Sequence, residues 1–442
     1  RQRQMCIRDR IRSDSDMHTL GFSFKPWNHK KSIATGPLIM DYLEETIEEY
    51  GLDEKIKYNH HVESANWNES EGIWEVNVIE KKSSEKFLYK SKFLYMCAGY
   101  YRYSSGYEPE FKGSENFSGQ IIHPQKWPES LDYKEKNVVV IGSGATAATI
   151  VPEIAKEAKL VTMLQRSPTY FVSRPDEDSI ALFLKRFLPK SLVYALIRFK
   201  NVYIQQSLFK RVRAFPDRSK KFLIDQVKKE LPDFDVDKHF TPSYNPWEQR
   251  MCLIPNSDFF EAIKNKSATV VTDHIESFEE KGIKLKSGDF LDADIIVTAT
   301  GLVLQNFGGV TISINNNPVN VSKTMTYKSL MYSDIPNFVN SFGYINASWT
   351  LKADLTSVYL CRLIKHMDKN EYSSACPRKP LDVDETYDWL KDFSSGYIQR
   401  SINLHPQQGS KKPWVNYQDY IKDWIDVKFS KLEDGNLIFS RD

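Results

Sequence analysis

The stretch Asn137-Val138-Val139-Val140-Ile141-Gly142-Ser143-Gly144-Ala145-Thr146-Ala147 reads as a short apolar strand, a Gly-rich turn and the start of a helix. The spacing predicts that helix over 145–156 and a second apolar strand over Leu160–Leu164, which together make half of a doubly wound β-α-β unit. Gly142 permits the tight strand-to-helix turn, Gly144 lets the backbone approach a pyrophosphate, and Ala147 allows the helix to pack closely on the strand. A pyrophosphate there meets free N–H groups and the positive end of the helix dipole. Ile141, Gly142, Ser143, Gly144, Ala145, Thr146 and Ala147 are therefore the expected nucleotide contacts.

The second strand ends at Gln165-Arg166-Ser167. A site for NADH usually carries an acid here, for the ribose 2′-hydroxyl; a cation instead suits the 2′-phosphate of NADPH through charge-assisted hydrogen bonds. NADPH over NADH is the expectation, with Gln165, Arg166 and Ser167 as its residues. The alternative for Arg166 is a solvated surface cation.

Working outward, a helix is predicted from Pro37 to Tyr50, with Ile39, Leu43, Ile47 and Tyr50 on one face and Gly51 ending it. Ile73–Ile79 alternates as a strand, and Phe87–Met96 is expected to pair with it before the small-residue turn Cys97-Ala98-Gly99. Residues 179–238 read as helices only. Strands return at Thr269–Val271, and Ile283–Leu285 with Phe290–Ile296 suggest a hairpin around Ser287-Gly288 that runs into Ala299-Thr300-Gly301. A helix follows over 351–367.

The 442 residues suffice for two or more domains. A 41% hydrophobic content and a mean hydropathy of −0.49 fit a globular protein, and a net charge of +2 gives no reason to expect a nucleic-acid partner. The five cysteines include no C-x-x-C, so neither a disulfide framework nor a redox dithiol is indicated and a reducing cytoplasm is the simpler expectation. No apolar run approaches the ~20 residues of a membrane span.

Just before the Gly-rich turn stands Phe117-Ser118-Gly119-Gln120-Ile121-Ile122-His123-Pro124-Gln125-Lys126-Trp127-Pro128, or F-x-G-x-x-x-H-x-x-x-W-P. This order of fixed points, with the turn after it, resembles the type I Baeyer–Villiger monooxygenases. Arg12-Ser13-Asp14, Gln165-Arg166-Ser167-Pro168-Thr169-Tyr170, Tyr244-Asn245-Pro246-Trp247-Glu248-Gln249-Arg250, Ala299-Thr300-Gly301 and Gly343-Tyr344-Ile345-Asn346-Ala347-Ser348-Trp349-Thr350 extend the likeness to the subfamily of ethionamide-activating monooxygenases.

The resemblance implies an α/β fold with two nucleotide-binding, Rossmann-like domains and a helical insertion. It implies FAD and NADPH as cofactors, O2 as co-substrate, and a flavin peroxide that attacks a ketone to give an ester or lactone, or oxidises sulfur in a thioether or thioamide. Arg250 matches the family's active-site cation, apt for holding peroxide and adduct charge. Asp14 matches the acid beside it, and Arg12, Ser13 and Asp14 match positions near the cofactors. Val62 matches a backbone contact to the FAD adenine. The fingerprint residues Phe117, Gly119, His123, Trp127 and Pro128 would couple NADPH binding to domain rotation, with no direct acid–base role for His123.

The expected organisation is residues 1–128 as the first part of an FAD domain, 133–178 and 244–301 as the parts of an NADP domain, 179–243 as a helical insertion, and 302–442 as the rest of the FAD domain. Residues 1–10 look foreign, and no Gly-rich fingerprint precedes residue 142. The expectation is therefore of a chain truncated before the first β-α-β unit, with weakened FAD binding. The competing readings are a flavin monooxygenase of nitrogen or sulfur without Baeyer–Villiger activity, and an inactive NADP-binding fragment. The basic, aromatic segment 180–221 either walls the substrate pocket or lies on an anionic membrane surface as a peripheral contact.

Overall fold

The computed structural model describes residues 12–379, 386–390 and 393–441. The foreign-looking residues 1–10 lie outside them. The described residues fall into two compact units: one from within 1–18, 26–44 and 103–303, the other from within 19–25, 45–102 and 304–442.

The first unit is built on a five-stranded sheet in the order Ala268–Thr272, Leu160–Gln165, Asn137–Ile141, Ile295–Thr298, Gln120–Ile122. Every pairing in it is parallel. Parallel strands are covered on both faces, so they read as continuous apolar runs. Val138, Val139 and Val140 are accordingly all buried at the sheet centre. The helix Ala145–Ile154 lays Ala147, Ile150 and Val151 onto that sheet.

The helical stretch is confirmed as Ser179–Leu184, Lys190–Ala214, Pro216–Glu230 and Val236–His239. It leaves after the strand Phe171–Arg174 and returns at Cys252–Pro255. These two strands pair in parallel, with Phe171 beside Cys252 and Arg174 beside Pro255, so the insertion leaves at one end of the pair and crosses back to enter at the other. Its two halves are held differently. Val227, Leu231, Val236 and Phe240 join the main core with Phe171, Phe259 and Phe260, whereas Ala181, Val193 and Ile197 form a small core of their own.

Two predicted strands are cut shorter than expected. The hairpin second strand is only Phe290–Asp292; Ile295–Thr298 is a separate strand of the parallel sheet. The break is at Asp294, whose carboxylate accepts the Asn137 N–H at 2.8 Å while its own N–H donates to the Asn137 carbonyl. Likewise Phe87–Met96 is not one strand. Lys86–Ser91 pairs antiparallel with Ile73–Glu80, and Leu94–Met96 pairs parallel with Phe338–Asn340. The switch is pinned by Asn337, whose amide donates to the Lys92 carbonyl at 2.9 Å.

In the second unit a five-stranded mixed sheet runs in the order Asn317–Pro318, Thr311–Ile314, His60–Asn68, Ile73–Glu80, Lys86–Ser91. Its inner face buries Trp67, Trp74, Val76 and Val78. The helix Trp349–Asn370 packs on Tyr420–Phe429 around Leu355, Tyr359, Leu363 and Val427.

Candidate functional site

Gly142 has φ +131°, and a Cβ there would stand 2.3 Å from the Ala299 carbonyl oxygen, so only glycine lets the two strand ends converge. Gly144 is different. It is the N-cap of the helix Ala145–Ile154, and a Cβ on it would meet no protein atom within 4 Å. Packing within the chain does not require this glycine. Open space at a helix N-terminus, lined by first-turn N–H groups that have no intrahelical acceptor, suits an anion. Ser143 donates its hydroxyl to the Ser167 carbonyl at 3.2 Å, drawing the 165–167 segment to the turn. Behind the turn, the buried Cys252 thiol faces the Ser143 carbonyl, and burial pushes its pKa up to about 12, so it stays a neutral packing group.

Arg166 and Ser167 are exposed at this end of the sheet. Gln165 is not. It is buried, and its amide nitrogen donates to the His239 carbonyl at 2.7 Å and the Thr272 hydroxyl at 2.8 Å. Its side chain ties the sheet to the insertion and does not face the nucleotide position.

Arg12 bridges two helices. Its guanidinium pairs with Asp258, at the start of the helix Asp258–Lys264, and donates to the Ala148 carbonyl at 3.2 Å on the Gly-rich helix. Burial pushes the Asp258 carboxyl up, against the pull of Arg12. Ser13 is buried and doubly tied to Ala34: its N–H donates to the Ala34 carbonyl at 2.8 Å and its hydroxyl accepts the Ala34 N–H at 3.0 Å. Arg12 and Ser13 thus hold the 12–35 segment in place. Sequence reasoning missed Asp258; an acid at a helix start reads as a cap, and nothing local announces its cation 246 positions away.

Arg250 and Asp14 come together, with Nη1 to Oδ2 at 3.3 Å. The side chains are 31% and 61% exposed, and a pair this open is worth at most about 1 kcal/mol to stability. Orientation of the guanidinium explains it better than stability does. The loop before Arg250 is tied down by several contacts: both oxygens of Glu248 accept bonds from Asn245 at 2.9 Å, Tyr170 donates its hydroxyl to the Tyr244 carbonyl at 2.6 Å, and Trp247, at φ +68°, sets its ring edge-to-face against Phe209 of the insertion.

His123 caps the 3-10 turn Pro124–Lys126. Its Nδ1 accepts the Gln125 N–H at 3.2 Å, which leaves Nε2 to carry the proton and donate to the Gly301 carbonyl at 3.3 Å. Burial lowers its pKa, so the ring is neutral with both nitrogens committed to backbone. Phe117 is buried edge-on to Phe278, a Cβ on Gly119 would stand 2.2 Å from the Asp294 carbonyl oxygen, and Trp127 packs half-buried on the main core. Pro128 begins a turn closed by the Leu131 N–H at 3.3 Å. Gly106, which backs the His123 ring, was not foreseen. In the second unit Val62 lies half-buried at a bulge in the strand His60–Asn68.

A parallel nucleotide-type sheet interrupted by a helical insertion, in a chain with a second, mixed-sheet unit, is the fold class of flavin monooxygenases. The chain is similar to a solved structure described as an oxidized steroid monooxygenase bound to NADP, with a TM-score of 0.76 and 20% identity over 98% of this chain and 91% of that one; at that identity the likeness concerns the fold. Residues 28–369 match the family described as FMO-like, flavin-binding monooxygenase-like, and the chain belongs to that family. It is 48% identical over 434 residues to the FAD-containing monooxygenase EthA of Mycobacterium tuberculosis H37Rv, covering 98% of this chain and 88% of the relative. It is 44% identical to the probable FAD-binding monooxygenase AlmA of Acinetobacter baylyi, covering 98% and 86%.

Proposed function

We propose that the chain is an FAD- and NADPH-dependent monooxygenase that transfers one oxygen atom of O2 to a ketone, giving an ester or lactone, or to the sulfur of a thioether or thioamide. The observation that carries this reading is the Arg250–Asp14 pair, in the same unit as the Gly142–Ala147 turn. The names of the relatives support FAD, and the NADP-bound structures of the same fold support the nicotinamide nucleotide.

When bound, NADPH supplies a hydride and the flavin makes dioxygen available for transfer. The residues of the chain supply the rest. The turn 142–147 holds the NADPH pyrophosphate on helix N–H groups, and Arg166 with the Ser167 hydroxyl holds the 2′-phosphate. Arg250, always protonated, holds negative charge that develops at the transferred oxygen and the carbonyl, with Asp14 fixing its plane. His123 positions the strand ends at Gly301 and exchanges no reacting proton.

FAD falls to the second unit, where Gly99, at φ +71°, follows the parallel strand Leu94–Met96 and opens the backbone to a ligand. Val62 is offered as a contact for its adenine. Among the described residues no second Gly-rich strand–turn–helix unit occurs, so no residue is assigned to the FAD pyrophosphate. We take 133–178 and 244–301 as the NADP domain, 179–243 as its insertion, and 1–128 with 302–442 as the FAD domain, although the described residues 12–18, 26–44 and 103–128 group with the first compact unit and only 19–25, 45–102 and 304–442 with the second.

The test is product analysis with isotopically labelled O2, FAD, NADPH and a panel of ketones and thioethers. One labelled oxygen in the product supports the reading. Arg250→Ala should bind NADPH as before yet lose product formation by about 100-fold or more. Labelled sulfoxides with no ester from any ketone would leave a sulfur monooxygenase, and hydrogen peroxide as the only product would refute oxygen transfer.

A further inference from the structure

Among the described residues, eleven of the twenty-four exposed large apolar side chains fall between Ile180 and Phe222. Exposed apolar residues scattered singly are ordinary; a run of them marks an interaction surface. On the helix Lys190–Ala214, Leu192, Leu196, Phe199 and Tyr203 recur at +4, +3 and +4 and so share one face, while Val193, Tyr194 and Ile197 are buried on the other. The outward face continues to Ser207 and Lys210. Phe183 and Phe187, with ring centroids 5.3 Å apart, are 58% and 70% exposed; Phe199 reaches 72%, and Phe215 and Phe222 60% each. The small core under this region, Ala181, Val193 and Ile197, uses none of them.

Charge selects the occupant. Residues 180–222 contain eleven Lys and Arg and one acid, Asp217. Arg186, Lys190, Lys210, Arg211, Arg218 and Lys221 are exposed among the apolar residues. A second copy docking through the same face would set two such excesses of positive charge against each other, and protein interface cores are depleted in lysine. No described helix is long and apolar enough to cross a membrane. An anionic bilayer surface meets both features, taking apolar side chains at the acyl boundary and cations at its phosphates.

We propose that the outward face of 180–222 docks on anionic phospholipid bilayers. Phe187, Phe199, Tyr203 and Phe222 enter the headgroup–acyl boundary, and the flanking Lys and Arg engage lipid phosphates. This docking does not depend on which oxygenation the chain performs.

The test is co-sedimentation of the whole chain with vesicles of phosphatidylcholine alone and of phosphatidylcholine mixed with phosphatidylglycerol. The chain should pellet with the mixed vesicles at low salt, release as salt rises, and stay in solution with phosphatidylcholine alone. Phe187→Ser with Phe199→Ser, and separately Arg211→Gln with Lys221→Gln, should each weaken binding by about ten-fold or more, since each cation near such a surface is worth roughly five-fold. Both pairs are solvent-exposed, so NADPH affinity and the thermal midpoint should hold and show that the variants are folded. Failure to pellet with phosphatidylglycerol vesicles at low salt, or full binding by both variants, would overturn the proposal. So would a dimer in sedimentation velocity that dissociates in the Phe187→Ser/Phe199→Ser variant without any vesicle binding, because the face would then belong to a second copy.

Discussion

Gly106 lies flat against the imidazole of His123: a Cβ on Gly106 would stand 2.0 Å from Cε1 and 2.2 Å from Nε2 of the ring. The ring has nowhere to retreat. Its Nε2 donates to the Gly301 carbonyl and its Nδ1 accepts the Gln125 N–H, and the Gln125 side chain closes the same space at 2.8 Å from the added atom. Gly106→Ala should therefore expel the ring and cost about 1–3 kcal/mol by overpacking. Thermal unfolding checks it. Adding His123→Ala to the glycine variant should recover part of the loss, since the clash disappears with the ring; strictly additive losses would count against the contact.

Arg166 bears on cofactor choice. It stands exposed beside the Gly-rich turn, with Ser143 tying the next residue to that turn at 3.2 Å. Arg166→Ala removes charge-assisted bonds worth about 1.5–3 kcal/mol, so NADPH should bind roughly 10- to 150-fold more weakly. NADH, without the 2′-phosphate, should bind unchanged. Titration of both nucleotides against the variant tests this, and an equal loss for the two would remove the 2′-phosphate role.

His405 makes the second unit acid-sensitive. It is 3% exposed, lies against Trp389 and Phe342, and has no hydrogen-bond partner on either ring nitrogen among the described residues. Burial lowers its pKa to about 4, against about 6.5 in an unfolded chain. Between those values the unfolded state holds a proton that the folded state refuses. The stability is thus fully present above about pH 6.5 and is lost as pH falls toward 4, by about 1.4 kcal/mol per pH unit. His405→Leu should flatten the slope of the urea midpoint over that window. An unchanged slope would assign the acid sensitivity elsewhere.

The nucleotide half of the fold was legible because each of its signals is local. Val138 to Val140, Gly142, Gly144 and Ala147 lie within eleven residues and each has one physical use. The helical insertion was legible for the same reason. What stayed hidden depends on distant partners. Asp294 ends a strand through Asn137, Asn337 splits the 86–96 run through Lys92, and Gln165 turns inward to His239 and Thr272. The Arg250–Asp14 pairing lies 236 residues apart, and only the family resemblance joined those two positions. Gly106 carries no pattern at all until its ring neighbour is known.

The buried pair Lys352–Asp423 makes the last prediction. Lys352, on the helix Trp349–Asn370, places Nζ 2.8 Å from Oδ2 of Asp423 on the helix Tyr420–Phe429, and the two residues are 2% and 5% exposed. Tyr344 donates its hydroxyl to the same oxygen at 2.7 Å, and Lys352 also reaches the Lys328 carbonyl at 3.3 Å. Burial and the neighbouring carboxylate push the Tyr344 hydroxyl far up, so it remains a donor. Lys352→Met leaves a buried carboxylate without its cation and should cost about 3–5 kcal/mol in denaturant unfolding. Adding Asp423→Asn removes the orphaned charge while its amide oxygen still accepts from Tyr344, so most of that loss should return. A single variant that loses under about 1 kcal/mol, or a double variant no better than the single, would show that water reaches Asp423 and that the pair does not lock the two helices.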